Sequence, residues 1–205
     1  MAVSQPVDNV TTIDFRQLRH QTKNALTRIL AQVSTGLASP DACRRTAADV
    51  ERRILLTAQI SDALFGLTRE PGPFAHRLET LCEGVVRLAS ETDQYVTVSC
   101  TVLAEPPAAV AETVLRVAHE FVGNAVKHGM HMRLLGRIEV SVETVGAGLV
   151  LKVVDDGWGF GGAPPTGEGL SVAQILARTC GGEVTLERVG DRTISRMNLA
   201  RLIDA

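Results

Sequence analysis

The chain has 205 residues and a formal net charge of −2 at pH 7. No basic tract stands out, so nucleic acid is not an expected partner. Hydrophobic residues make up 45% and aromatics 3%. That is enough for a core built on Leu, Val, Ile and Ala in one large or two small domains.

No apolar run reaches the length of a membrane span, and the N-terminus is polar without a signal peptide. A soluble, cytoplasmic protein with no membrane partner is therefore expected. Cys43, Cys82, Cys100 and Cys180 are scattered without a C-x-x-C pair, which predicts reduced thiols rather than a disulfide or metal set.

Residues 1–11 read as an arm. From Asp14 to about Ser34, Phe15, Leu18, Thr22, Leu26, Ile29 and Val33 recur at helical spacing and form one apolar stripe. Gly36 and the string SPDA (residues 39–42) supply a stop, a turn and a new N-cap. A second helix is predicted from about Asp41 to Leu67, with a broad apolar face that includes Val50, Ile54, Leu55, Ala58 and Leu64. The short turn implies an antiparallel hairpin. Two helices cannot easily enclose a core, so a four-helix bundle from two chains is expected, a homodimer through residues 14–67.

EPGP (residues 70–73) breaks the pattern and marks a boundary. It divides a hairpin domain, 12–70, from a second domain, 74–205. The second domain reads as helix (about 74–91), strand (95–103), helix (108–128), strands (136–145 and 148–155), loop, helix (169–180) and strands (182–189 and 192–202). YVTVSCTV, RIEVSVETV and LVLKVVD carry the β-branched alternation of strands. The fold class is α+β: a helical hairpin, then a mixed sheet with helices on one face.

Three strings in the second domain carry chemistry. HEFVGNAVKHG (residues 119–129) places Glu120, Asn124 and Lys127 or His128 on one helix face, at spacings of three and four. VVDDGWGFGG (residues 153–162) is a strand end that breaks into glycines with Asp155 at the break. GEGL (residues 167–170) puts Gly167 and Gly169 just before a new helix, whose N-terminus can approach phosphate. A carboxylate, an amide, an aspartate and a glycine-rich helix start are the parts a nucleotide with its metal ion needs.

The order of an N box (Glu120, Asn124), a first glycine box D-x-G-x-G (Asp155, Gly157, Gly159) and a second glycine box (Gly167, Gly169, Leu170) resembles the Bergerat-type ATPase domain. Histidine kinases, anti-sigma-factor kinases, type II topoisomerases and a family of chaperones share that fold. In the first predicted helix, His20 lies two residues off the apolar stripe. Its string H-x-x-K-N-x-L is similar to the phosphoacceptor box of the HWE and related histidine-kinase subfamilies.

The resemblance implies that His20 accepts phosphate from ATP. It implies that Asn124 holds Mg²⁺, with Glu120 ordering metal-bound water or acting as a base, and that Asp155 accepts from the adenine amine. The four glycines would let the backbone approach the ligand, and Lys127 and His128 are candidates for phosphate contact. The implied partner is the receiver domain of a response regulator. The alternative is a histidine phosphotransferase that relays phosphate between proteins without ATP.

The chain departs from the pattern at Gln21, where many such boxes have an acid, and at residues 151–154, LKVV, where the W-x-E element is absent. Trp158 inside the glycine box is unusual, and its simplest reading is apolar cover over the pocket floor.

Overall fold

The computed structural model describes residues 27, 29–31, 40–66, 72–91, 93–159 and 168–200. His20 and Gly167 lie outside the described residues, as does nearly all of the first predicted helix. The elements are α1 (Pro40–Phe65), α2 (Phe74–Ala89), β1 (Tyr95–Val102), α3 (Ala108–Asn124), β2 (Leu135–Val145), β3 (Gly148–Asp155), α4 (Glu168–Thr179), β4 (Gly182–Val189) and β5 (Arg192–Leu199). The α+β expectation holds, and element limits fall within a few residues of those read from the sequence.

By contacts the chain divides into two units, Met1–Ala58 and Gln59–Ala205. In the first, Ile54 and Leu55 of α1 are exposed, at 52% and 58%. The last two turns of α1 belong with the second unit. Ile60, Ala63 and Leu64 are buried there, and Arg77 from α2 donates to the carbonyls of Ala63 and Leu64 at 3.0 and 3.2 Å. Those carbonyls lie at a helix end, where intrahelical partners run out, so the guanidinium acts as a C-terminal cap.

The second unit is built on a five-stranded sheet in the order β1-β2-β3-β5-β4. The β1–β2 pair is parallel and the other pairs are antiparallel. Side chains alternate as the pleat requires. On β2, Ile138, Val140 and Val142 are buried, while Glu139, Ser141 and Glu143 are half-buried. The buried row faces α2, α3 and α4 and leaves the other face of the sheet to solvent. Leu78 and Leu81 of α2, Leu115 and Phe121 of α3 and Leu176 of α4 are essentially inaccessible and fill the layer between helices and sheet.

One local feature differs from the regular helix expected to residue 128. After Asn124 the chain widens into a π-turn over Ala125–Gly129, closed by Met130 N–H donating to the Ala125 carbonyl at 3.0 Å. One extra residue is thereby held in the last turn. The widening seats Gly129 against the end of β3, where a methyl group on its Cα would come 2.6 Å from Asp155 Oδ1.

Candidate functional site

Three segments meet at one end of the second unit: the π-turn after α3, the end of β3 and the start of α4. Between them lies a cleft open to solvent, lined by Phe121, Asn124, Ala125, His128, Gly129, Asp155, Gly159, Leu170, Leu186, Thr193 and Ser195. Most of its wall is apolar.

Asp155 ends β3 and is 4% exposed. Its Oδ1 accepts from Gly157 N–H at 3.0 Å. Burial pushes its carboxyl up to about 6, and the neighbouring Asp156 pushes in the same direction. The Gly157 bond, the Arg133 charge and the Thr193 hydroxyl pull against that rise without cancelling it. Desolvation of the charged form dominates. Thr193 faces Asp155 across the β3–β5 ladder, and its Oγ1 is buried beside that carboxylate.

The helix side of the cleft is more polar. Asn124 reaches the cleft from the last turn of α3. Glu120, one turn earlier, has its Oε1 3.3 Å from His119 Nδ1. Its Oε2 points to the start of α4, where a Cβ on Gly169 would come 2.6 Å from it and 3.4 Å from Asn124 Oδ1. Only glycine leaves that space open. His128 lines the cleft with its pKa lowered, first by burial and then by Lys127 and His131, so its ring is neutral at pH 7.

The structure therefore gathers Asn124, His128, Asp155, Gly159 and Leu170 around one cavity, with Glu120, Gly157 and Gly169 directly beside them. Lys127 is exposed and does not line it. Gly159 adopts a left-handed backbone, φ +67°, next to Arg188. No sequence signal marks Gly129, Leu186, Thr193 or Ser195 as cleft residues. On β4 and β5 the last three read as ordinary alternating strand positions. No helix among the described residues is long and apolar enough to cross a membrane.

The architecture is the fold of histidine-kinase domains. It matches a blue-light-activated histidine kinase of Erythrobacter litoralis with a TM-score of 0.55 at 18% identity, over 90% of this chain and 58% of that one. The chain thus spans little more than half of that protein. The isolated histidine kinase domain of the same protein matches at 0.54 and 18% identity, over 92% of this chain and 95% of that one. A bacterial phosphotransferase matches at 0.60 and 12% identity, over 95% and 98%. By sequence, no protein-family model and no curated protein matches the chain.

Proposed function

We propose that this chain is a histidine kinase core. It binds ATP in the cleft, transfers the γ-phosphoryl group to His20, and passes that group to an aspartate on a response-regulator receiver domain in the cytoplasm. One observation carries the reading. A buried carboxylate, Asp155, sits at the floor of an apolar cleft beside the buried Thr193 hydroxyl. That pair offers an acceptor and a hydroxyl to an adenine edge, while Phe121, Leu170 and Leu186 cover its faces. A flat heterocycle with an exocyclic amine satisfies both kinds of wall.

The polyphosphate would extend toward Asn124, His128 and the start of α4, where Gly169 keeps the backbone open. Mg²⁺ usually takes most of its ligands from phosphate and water. The Asn124 amide oxygen suits it as the protein ligand, and the ion would neutralise charge on the phosphates. Glu120 lies close enough to orient bound water.

In the transfer, a neutral ring nitrogen of His20 attacks the γ-phosphorus. The bond to the β-phosphate oxygen breaks, and ADP leaves. Positioning and charge neutralisation carry most of such a step. The exposed Ile54 and Leu55 support pairing of two hairpins, through residues 14–67, into one bundle.

Purified chain incubated with γ-labelled ATP and Mg²⁺ tests this. An acid-labile, base-stable label on the protein is the expected result. Failure of the wild type to bind ATP in a calorimeter would replace the kinase by the phosphotransferase reading.

A further inference from the structure

Trp158 is the one tryptophan of the chain; expected as apolar cover over the pocket floor, it is 63% exposed and does not line the cleft. Its ring instead carries the Arg133 guanidinium, whose carbon lies 5.6 Å from the ring centroid. Two of the guanidinium's three nitrogens donate hydrogen bonds and the third faces a carboxylate. Nε donates to the Leu135 carbonyl at 3.3 Å. Nη1 donates to the Asp156 carbonyl, and Nη2 stands 3.9 Å from Asp156 Oδ2. The two segments are also joined by backbone. Asp156 N–H donates to the Arg137 carbonyl at 3.2 Å, and Trp158 N–H to the Gly129 carbonyl at 2.9 Å. The Asp156 carboxylate accepts from Arg137 N–H at 2.8 Å.

Thus one side chain from the 130–135 connection holds the residues on both sides of Gly157, whose N–H orients Asp155. A flat, fork-shaped cation on an aromatic face is the group suited to such a clasp, and lysine cannot replace all of its bonds.

We propose that Arg133, stacked on Trp158, is a positioning residue for the nucleotide. It fixes the first glycine turn so that Asp155 presents its carboxylate to the base. This rests on the nucleotide reading above, but the clasp itself can be measured without ligand.

Arg133→Gln should speed hydrogen exchange at the Gly157 and Trp158 amides in the ligand-free chain, while amides from Val140 onward in β2 and those in α3 keep wild-type rates. ADP affinity should fall roughly three- to tenfold, the size of a lost cation–π contact plus a charged hydrogen bond. Trp158→Phe, which keeps an aromatic face, should stay near wild type, and Trp158→Ala should resemble Arg133→Gln. Arg133→Lys should restore charge but only part of the affinity.

The pH midpoint of ADP binding gives a readout that loss of packing alone would not move. Around Asp155, Asp156 pushes the carboxyl up and Arg133 pulls it down, with His128 in the cleft wall and Arg188 beside Gly159. Losing the Arg133 charge should raise the midpoint, and lysine should hold it. Wild-type exchange rates in both Arg133→Gln and Trp158→Ala would overturn the clasp. Altered exchange with unchanged ADP affinity would overturn its role toward nucleotide. Absence of ADP binding by the wild type would instead overturn the nucleotide reading.

Discussion

The Cα of Gly157 meets the backbone of Gly129 so closely that no side chain fits between them. The first glycine box and the end of the N-box helix are therefore in direct main-chain contact. Gly157→Ala has nowhere to place its methyl group except into backbone. It should cost roughly 1–3 kcal/mol, the usual penalty for overpacking, read as a lower urea midpoint, and should also weaken nucleotide binding.

Gly169→Ala should separate stability from activity. Its methyl group would displace the Glu120 carboxylate, 2.6 Å away, which is the movable end of a side chain. Alanine suits a helix better than glycine by up to about 1 kcal/mol. The melting temperature should hold or rise, while phosphohistidine formation falls.

Asp155→Asn should weaken ATP by about 1–3 kcal/mol, because the amide is a poorer acceptor and leaves buried groups mismatched. The wild-type carboxyl titrates at about 6, so wild-type affinity should decline as pH falls through that value. ATP titrates in the same range, and comparison with Asp155→Asn removes that contribution. Calorimetry from pH 5 to 8 should give a steeper slope for the wild type.

The same carboxyl makes a prediction about the ligand-free protein. Its folded value of about 6 lies above the usual 3.8, so the folded state disfavours the charged form. That penalty is absent below the unfolded value and complete above the folded one. Wild type and Asp155→Asn should match in urea stability near pH 3.5. The variant should become the more stable of the two as pH rises through 4 to 6.

His20→Ala should leave stability within about 0.5 kcal/mol, as expected for a position off the apolar stripe, and should abolish labelling from ATP. His20→Gln should behave alike, since its amide has no nucleophilic nitrogen. Retained phosphohistidine in His20→Ala would move the acceptor to another histidine.

Much of the fold was legible because its elements are long and periodic. YVTVSCTV is β1 from first residue to last, and the glycines of GAG mark the β2–β3 hairpin. Asp155 and Gly169 could be found because glycines beside a carboxylate, or before a helix, are unusual locally. Thr193 could not. It reaches Asp155 only because β5, not β4, pairs with β3, and strand order is not written in any local pattern. The π-turn was equally hidden. Alanine, valine, lysine and histidine suit an α-turn as well, and the difference lies in which carbonyl Met130 chooses.

That turn has a consequence for how the segment tolerates change. Its length is guarded more closely than its spelling. Removing one residue from Ala125–Gly129 would convert the Met130–Ala125 bond into a regular α-helical one and draw in the bulge that seats Gly129. Gly129 would then swing away from Asp155. Lys127, exposed and outside the cleft, takes no part in that seating. A substitution at position 127 would leave the seating intact, whereas a single-codon deletion at the same place would erase it.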